Sequence, residues 1–164
     1  GHFTNFVLTH MRGRPAERWH VINDFGAIGS GLGAGIGVAV ARNNGKVLLI
    51  EGDGSLLMHI QELETIKRHG LQLLMCILND GAYGAEAHKF RAQKMDAKES
   101  IHGRGDLAAV AKGFGLRSAT VTALGRFEAL LRDHQKGDGA ELWDVHIEDK
   151  IPSAQYRRVH FGES

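Results

Sequence analysis

Two short polar clusters carry the residue types from which this sequence could build a site. The first is Gly52–Ser55, with the sequence GDGS, and the second is Asn79–Gly81, with the sequence NDG; each follows an apolar run. Such runs predict buried strands of a parallel sheet, and ligands of these sheets bind beyond the carboxyl ends of the strands. If the two strands are neighbours, Asp53 and Asp80 come close together and repel each other unless a cation lies between them. The pair therefore predicts a site for Mg²⁺ or Ca²⁺.

The residues around Asp53 predict a phosphate contact beside this cation. Gly52 and Gly54 allow a ligand to approach the backbone closely. Gly54 and Ser55 begin a predicted helix, whose free N–H groups and positive dipole end attract anions. Mg²⁺ commonly completes its oxygen shell with substrate phosphates and water. Each cluster alone would also suit an ordinary turn, but together they favour a metal-bridged phosphate or diphosphate site.

Strand patterns and helix patterns alternate around these clusters. The predicted strands are residues 19–24, 46–51, 71–78, 117–121 and 140–148, and the predicted helices are residues 29–42, 55–69, 107–115 and 124–135. This alternation predicts one α/β domain over residues 1–164, with a doubly wound, mostly parallel sheet and helices on both faces. Gly70 is expected to end the second helix in a left-handed turn, and Asp106 is expected to cap the third. Residues 90–105 predict a long mobile loop over the site.

The composition narrows the class of protein and its partners. With 43% hydrophobic and 24% charged residues the chain reads as soluble and globular, and a net charge of +1 gives no reason to expect a nucleic acid or a membrane as partner. The single cysteine, Cys76, predicts an inert core thiol in a reducing, cytoplasmic compartment. The ten histidines are scattered, which disfavours a histidine-built zinc site. Because the chain starts at Gly1 without a signal peptide, we expect it to be a piece of something longer.

The spacing of the two clusters resembles the signature of thiamine-diphosphate-dependent enzymes. That signature is Gly-Asp-Gly, a gap in the mid-twenties, then Asn-Asn or a close variant; here 24 residues separate GDG from ND. Upstream, GAIGSGLGAGIGVAVA at residues 26–41 resembles the glycine-rich segment of the same family. The chain thus resembles the diphosphate-binding domain of the acetolactate synthase, benzaldehyde lyase and 2-oxoacid decarboxylase group. The resemblance implies the thiamine-diphosphate-binding fold, with thiamine diphosphate and Mg²⁺ as cofactors.

The resemblance also implies which residues contact these cofactors. The magnesium ligands would be the carboxylates of Asp53 and Asp80 and the backbone carbonyl of Ala82. Asp80 replaces the family's second Asn, so its added charge is expected to strengthen metal binding and to weaken the attraction for diphosphate. Ile28 would hold the aminopyrimidine ring. The residues expected to contact the organic cofactor are Ile28, Gly29, Gly52, Gly54, Ser55, Tyr83 and His2.

Glu86 is the catalytic candidate. Tyr83-Gly-Ala-Glu86 matches in position a Tyr-x-x-Glu motif of decarboxylase-like relatives, whose glutamate handles protons at the reacting carbon. In a largely apolar site such a glutamate would have a raised proton affinity. The alternative is a surface glutamate on a helix. His88, in the polar stretch that follows, is expected to be exposed.

In the resembling family the cofactor is activated by a glutamate of a separate pyrimidine-binding domain, usually on the facing subunit. The resemblance therefore implies a homo- or hetero-oligomer, with that domain on another chain or an upstream segment. The substrate would be a small 2-oxoacid or aldehyde. We expect the lone chain to be inactive or nearly so.

Two other functions remain open from the sequence. GSGLGA at residues 29–34 also fits the Gly-x-Gly-x-x-Ala fingerprint of dinucleotide-binding domains, with Glu51 as the ribose-binding acid. That alternative leaves both acidic clusters unexplained. A third function is a domain that binds a ligand or partner without catalysis.

Overall fold

A four-stranded parallel sheet forms the centre of the molecule. In the computed structural model, which describes residues 1–42 and 44–163, the strands are β1 (Val47–Gly52), β2 (Leu73–Asn79), β3 (Arg117–Val121) and β4 (Glu141–His146). Their order is β1-β2-β4-β3, and every neighbouring pair is parallel. The inner strands β2 and β4 are buried along most of their length, which explains the nearly continuous apolar sequence of β2.

Helices cover both faces of this sheet. Within the described residues the α-helices are α1 (Phe3–His10), α2 (Ser30–Arg42), α3 (Asp53–Met58), α4 (Leu63–Arg68), α5 (Gly84–Ala92), α6 (Leu107–Gly113), α7 (Phe127–Lys136) and α8 (Ala154–Phe161). In residues 1–42 and 44–163, none of the helices has both the length and the apolar character that crossing a membrane requires.

Two hydrophobic clusters fill the space between the layers, one on each side of the sheet. Alternate side chains of β2 point to opposite faces, so Met75 joins one cluster and Leu74 the other. The larger cluster brings α2, α3, α4 and α6 against the sheet, and the smaller one brings α7 against the other face. The predicted three-layer α/β architecture is therefore confirmed.

Three element predictions differ from the structure. The strand predicted at residues 19–24 is wrong: residues 19–23 are irregular, and Asp24–Gly26 form a short 3₁₀ turn. A strand requires a hydrogen-bonded neighbour, and within the described part of the chain β1 pairs with β2 alone. The helix predicted at residues 55–69 is interrupted at His59, whose φ of −136° is not helical.

The third difference concerns the predicted loop at residues 90–105. Helix α5 continues to Ala92, and the later part of the segment is tied to the turn after β2. There, the N–H of His102 donates to the carbonyl of Gly81 at 3.0 Å, and the N–H of Tyr83 donates to the carbonyl of Ser100 at 2.8 Å. The segment does lie over this edge of the sheet, as expected, while its mobility stays a prediction.

Two predicted helix boundaries are confirmed. Gly70 follows α4 after one intervening residue, His69, and has a φ of +58°, the left-handed conformation that glycine adopts at lowest cost. Asp106 precedes α6, and its Oδ1 accepts a hydrogen bond from the N–H of Ala109 at 2.8 Å. This bond pairs one of the N–H groups that the start of a helix leaves free.

The Asp106 cap gives a test of the fold. Asp106→Ala should lower the free energy of unfolding by about 1 kcal/mol, because an N–H group of α6 loses its acceptor. Asp133→Ala, at an exposed position within α7, is the matched control and should change stability by less than about 0.5 kcal/mol. Urea unfolding of the three proteins measures both values; equal stabilities would show that the cap contributes nothing.

A candidate acidic site at the carboxyl edge of the sheet

Asp53 and Asp80 meet in one cleft at the carboxyl edge of β1 and β2. Gly52 at the end of β1 is the register partner of Leu78 in β2, so the residues that follow the two strands lie side by side. Asp53 is the first residue of α3 and is only 2% exposed. The two aspartates line a cleft of about 50 Å³. The structure thus brings together the two acids on which the sequence prediction depends.

The electrostatics of this pair favour a bound cation. Burial raises the pKa of Asp80 to about 6, and the negative charge of Asp53 adds to the effect. Burial also raises the pKa of Asp53, although the backbone N–H groups of Gly54 and Gly81 oppose this rise. The N–H of Gly81 donates to Oδ2 of Asp53 at 2.8 Å. A cation between the carboxylates would stabilise both charged forms.

The turn that carries Asp80 is held in place by backbone and side-chain contacts. The N–H of Ala82 donates to Oδ1 of Asp80 at 3.1 Å, and Gly81 adopts a φ of +74°. Gly84 lies so close to the same carboxylate that a Cβ at this position would collide with Oδ2 of Asp80. Ala82 lines the cleft, which puts its backbone beside the acidic pair.

Within residues 1–42 and 44–163, no three His, Cys, Asp or Glu side chains form a metal-binding group. A hard cation in the cleft would therefore take its remaining ligands from backbone oxygens, a bound ligand and water.

Asn79 has a structural role that sequence reasoning missed. It is fully buried, and its Nδ2 donates to Oδ1 of Asp144 in β4 at 2.8 Å. Oδ2 of Asp144 in turn accepts from the N–H of Leu107 at 3.1 Å. This bridge fixes the ends of β2 and β4 against the start of α6. The pairing of Asn79 with a residue 65 positions away has no local sequence signal.

His102 is a second residue that sequence reasoning missed. Its Nε2 lies 3.8 Å from Oδ2 of Asp53, and its ring packs edge-to-face on Tyr83 with centroids 5.3 Å apart. Its Nδ1–H donates to the carbonyl of Gly103 at 2.9 Å. The one sequence signal that could have found His102 is the expectation that residues 90–105 lie over the site.

Tyr83 and Ile28 both form part of the cleft wall. A Cβ on Gly54 would lie 2.9 Å from the Tyr83 ring, so this glycine allows the ring to lie on the GDGS turn. Ile28 is 39% exposed and lines the same cleft. Gly52 lies close to α1, since a Cβ added at this glycine would be 3.1 Å from the ring of Phe3.

The hydroxyl of Ser55 makes two protein contacts. It donates to Oε1 of Glu51 at 2.5 Å and accepts from the N–H of Gly29 at 2.7 Å. Glu51 is 3% exposed, so it is not available to a ribose. In addition, no strand leads into Gly29 within the described residues. The dinucleotide-binding alternative therefore lacks two of the parts it requires.

Glu86 lies at the rim of the cleft. Its side chain is 51% exposed, and its Oε1 lies 3.3 Å from Nζ of Lys89. Glu86 therefore lies on the accessible side of α5, as the alternative of a surface glutamate on a helix predicts, and its catalytic role stays a prediction.

His2 and His88 pack together beside the site. His2 lines the cleft but is 7% exposed, and its Nε2 accepts from the N–H of Ser153 at 2.8 Å. The two imidazole rings have centroids 4.4 Å apart. The expectation that His88 is exposed is wrong, since only 1% of it is accessible. The polar sequence around it hides the fact that this side of α5 faces α8.

An open parallel sheet with glycine-rich and acidic turns at its carboxyl edge defines an α/β cofactor-binding domain. Residues 1–145 match the family described as thiamine pyrophosphate enzyme, C-terminal TPP binding domain. The chain belongs to this family.

Individual relatives agree with this assignment. The chain is 29% identical over 151 residues to the large subunit of acetolactate synthase isozyme 2 of Escherichia coli, covering 91% of this chain and 28% of the relative. It is 32% identical over 134 residues to acetolactate synthase of Arthrospira platensis, covering 80% and 23%. The fold is similar to that of a thiamine diphosphate-dependent 4-hydroxybenzoylformate decarboxylase of Rhodococcus jostii, with a TM-score of 0.66, 24% identity and coverage of 74% and 23%. The chain spans about a quarter of the length of the curated relatives it matches.

The contact between His2 and Ser153 predicts a pH dependence of stability. Burial, and then the charge of His88, lowers the pKa of His2 from 6.5 to about 4. As the pH falls from 6.5 towards about 4, the unfolded chain therefore binds a proton at His2 that the folded chain does not, and stability is lost. His2→Asn removes this titration while offering another hydrogen-bond acceptor, so its stability should fall less over the same window.

Thermal unfolding of wild type and His2→Asn at a series of pH values between neutral and about 4 measures this difference. His20→Asn, at an exposed position, is the control and should follow the wild type. Identical pH slopes for wild type and His2→Asn would show that His2 is not a buried neutral base.

Proposed function

We propose that this chain binds thiamine diphosphate through Mg²⁺ and forms the diphosphate-binding part of an acetolactate-synthase-like carboligase or 2-oxoacid decarboxylase. The observation that carries the proposal is the convergence of Asp53 and Asp80 in one cleft beside the start of α3. The family match and the names of the relatives support the same class of enzyme.

The donor set of the cleft fits Mg²⁺. Two carboxylates with raised pKa values supply oxygen ligands and gain from a cation between them. Asp53, Asp80 and the carbonyl of Ala82 would hold the ion, leaving positions for phosphate oxygens and water. The N–H groups of Gly54 and Ser55 would donate to the diphosphate.

The remaining wall of the cleft would place the rest of the cofactor. When bound, thiamine diphosphate supplies the carbanion that attacks the substrate carbonyl. Ile28 and Gly29 would support its aminopyrimidine side, and Tyr83 would close the diphosphate side over Gly54. Glu86 would exchange protons with the substrate from the rim, where it is within reach of solvent and of Lys89.

The complete enzyme would need a second part. Ile28 is exposed at the edge of the cleft, which suits an apolar partner surface there. In this proposal the partner is a pyrimidine-binding domain, on another chain or in the same one, within a homo- or hetero-oligomer. The substrate is a small 2-oxoacid or aldehyde, and the site of action is the cytoplasm.

Metal-dependent cofactor binding tests the proposal. Isothermal titration of the chain with thiamine diphosphate should show binding that requires Mg²⁺ and disappears with a chelator. Asp53→Asn should weaken this binding by at least about tenfold, because one charged oxygen ligand of the ion is lost. Asp133→Asn on α7 is the control and should bind as the wild type does.

A parallel titration with NADH separates this function from the dinucleotide-binding alternative. Thiamine diphosphate binding that is unaffected by the chelator or by Asp53→Asn, or tight NADH binding without metal, would refute the proposal.

The need for a partner gives a separate prediction. With saturating Mg²⁺ and thiamine diphosphate, the chain alone should release no carbon dioxide from pyruvate above the background rate. The physical reason in this proposal is that the group that activates the aminopyrimidine lies on the pyrimidine-binding partner. A carbon dioxide assay run beside a complete acetolactate synthase measures this, and robust turnover by the chain alone would contradict it.

A further inference from the structure

A polar bridge joins the turn that carries Gly29 to the turn that carries Ser55. Glu51 lies near the end of β1 and is 3% exposed. Oγ of Ser55 donates to its Oε1 at 2.5 Å, and the same Oγ accepts from the N–H of Gly29 at 2.7 Å. One hydroxyl therefore connects the acid of β1 to the turn that precedes α2.

From this bridge we infer that Glu51 is a positioning residue for the bound cofactor. It acts through Ser55, by fixing the turn of Ile28 and Gly29 against the turn of Asp53 and Gly54. The inference rests on the proposed function, because it concerns how the two sides of that binding site are held in register.

The hydrogen-bonding capacity of Ser55 limits what else it does. A serine hydroxyl has one proton to donate, and here that proton goes to Glu51. The hydroxyl is thus committed to the bridge, and Ser55 is left with its backbone N–H for a phosphate contact. Its side chain serves the shape of the site rather than the ligand directly.

The surroundings of Glu51 show that its carboxylate is fitted closely against α2. A Cβ on Gly31 would collide with Oε1, so the first turn of α2 approaches the acid as only glycine allows. The backbone N–H groups of Gly31 and Leu32 oppose the rise that burial causes in the pKa of this carboxyl group. Glu51 therefore contacts both the start of α2 and the hydroxyl of Ser55.

The bridge is a costly way to achieve stability alone. Oε2 of Glu51 is buried and has no hydrogen-bond partner among the described residues. Buried polar atoms are normally paired, and an unpaired one lowers the stability of the folded state. An apolar side chain of similar size would avoid this cost but would not hold Ser55 and Gly29 in one geometry. Positioning of the two turns accounts for an acid at this place.

Comparing the binding of thiamine diphosphate with that of inorganic pyrophosphate distinguishes a positioning role of Glu51 from a general effect on the whole binding site. Pyrophosphate needs only the metal and the GDGS turn, whereas thiamine diphosphate also contacts the Ile28 turn. Breaking the bridge should thus weaken binding of the larger ligand selectively.

Two variants of the full chain break the bridge from opposite ends, Glu51→Ala and Ser55→Ala. In the presence of Mg²⁺, each should bind thiamine diphosphate about tenfold more weakly, a change of roughly 1.4 kcal/mol, and bind pyrophosphate within about twofold of wild type. Glu51→Gln keeps an acceptor for Ser55 and should restore thiamine diphosphate affinity to within about threefold. Glu128→Ala, at an exposed position in α7, should leave both affinities unchanged.

Isothermal titration measures both affinities, and circular dichroism shows which variants are folded. If Glu51→Ala does not fold, Ser55→Ala and Glu51→Gln carry the comparison. Equal losses for the two ligands, or no loss for thiamine diphosphate, would overturn the positioning role. Failure of the wild type to bind Mg²⁺ with pyrophosphate would instead refute the proposed function itself.

Discussion

The repulsion between the buried carboxylate of Asp53 and the partly buried carboxylate of Asp80 is the constraint on which the candidate site depends. Asp53 and Asp80 share a cleft in which burial and mutual charge raise the pKa of Asp80 to about 6. A protein that only needed a turn at each strand end would gain nothing from placing acids here. A divalent cation between the two carboxylates attracts both of them and can also coordinate the phosphate oxygens of a ligand.

The fold produces this constraint through the parallel register of the sheet. β1 and β2 are adjacent and parallel, and Gly52 at the end of β1 is paired with Leu78 near the end of β2. The residues that follow the two strands must therefore emerge at the same edge of the sheet. Backbone groups then fix each acid, and the clearest case is the N–H of Gly81 on the carboxylate of Asp53. In the same way, the hydrogen bonds of the Glu51 bridge hold the turn before α2 against the turn that carries Ser55.

The parts of this structure that the sequence predicts are those that depend on local patterns. Buried strands have continuous apolar runs, and Asp53 and Asp80 follow such runs directly, so their meeting required only that the strands be neighbours. His102 and the Glu51–Ser55–Gly29 bridge depend on contacts between distant segments, which no local pattern encodes. The strand wrongly predicted at residues 19–24 shows the same limit, because an extended apolar sequence forms a strand only with a partner.

The most direct measurement of the central claim is a crystal structure of the chain grown with Mn²⁺ and thiamine diphosphate, with anomalous scattering recorded for the metal. The account predicts one strong anomalous peak within coordination distance of the carboxylates of residues 53 and 80 and of the carbonyl of residue 82. A metal bound elsewhere, or carboxylates that turn away from each other around an empty cleft, would contradict it.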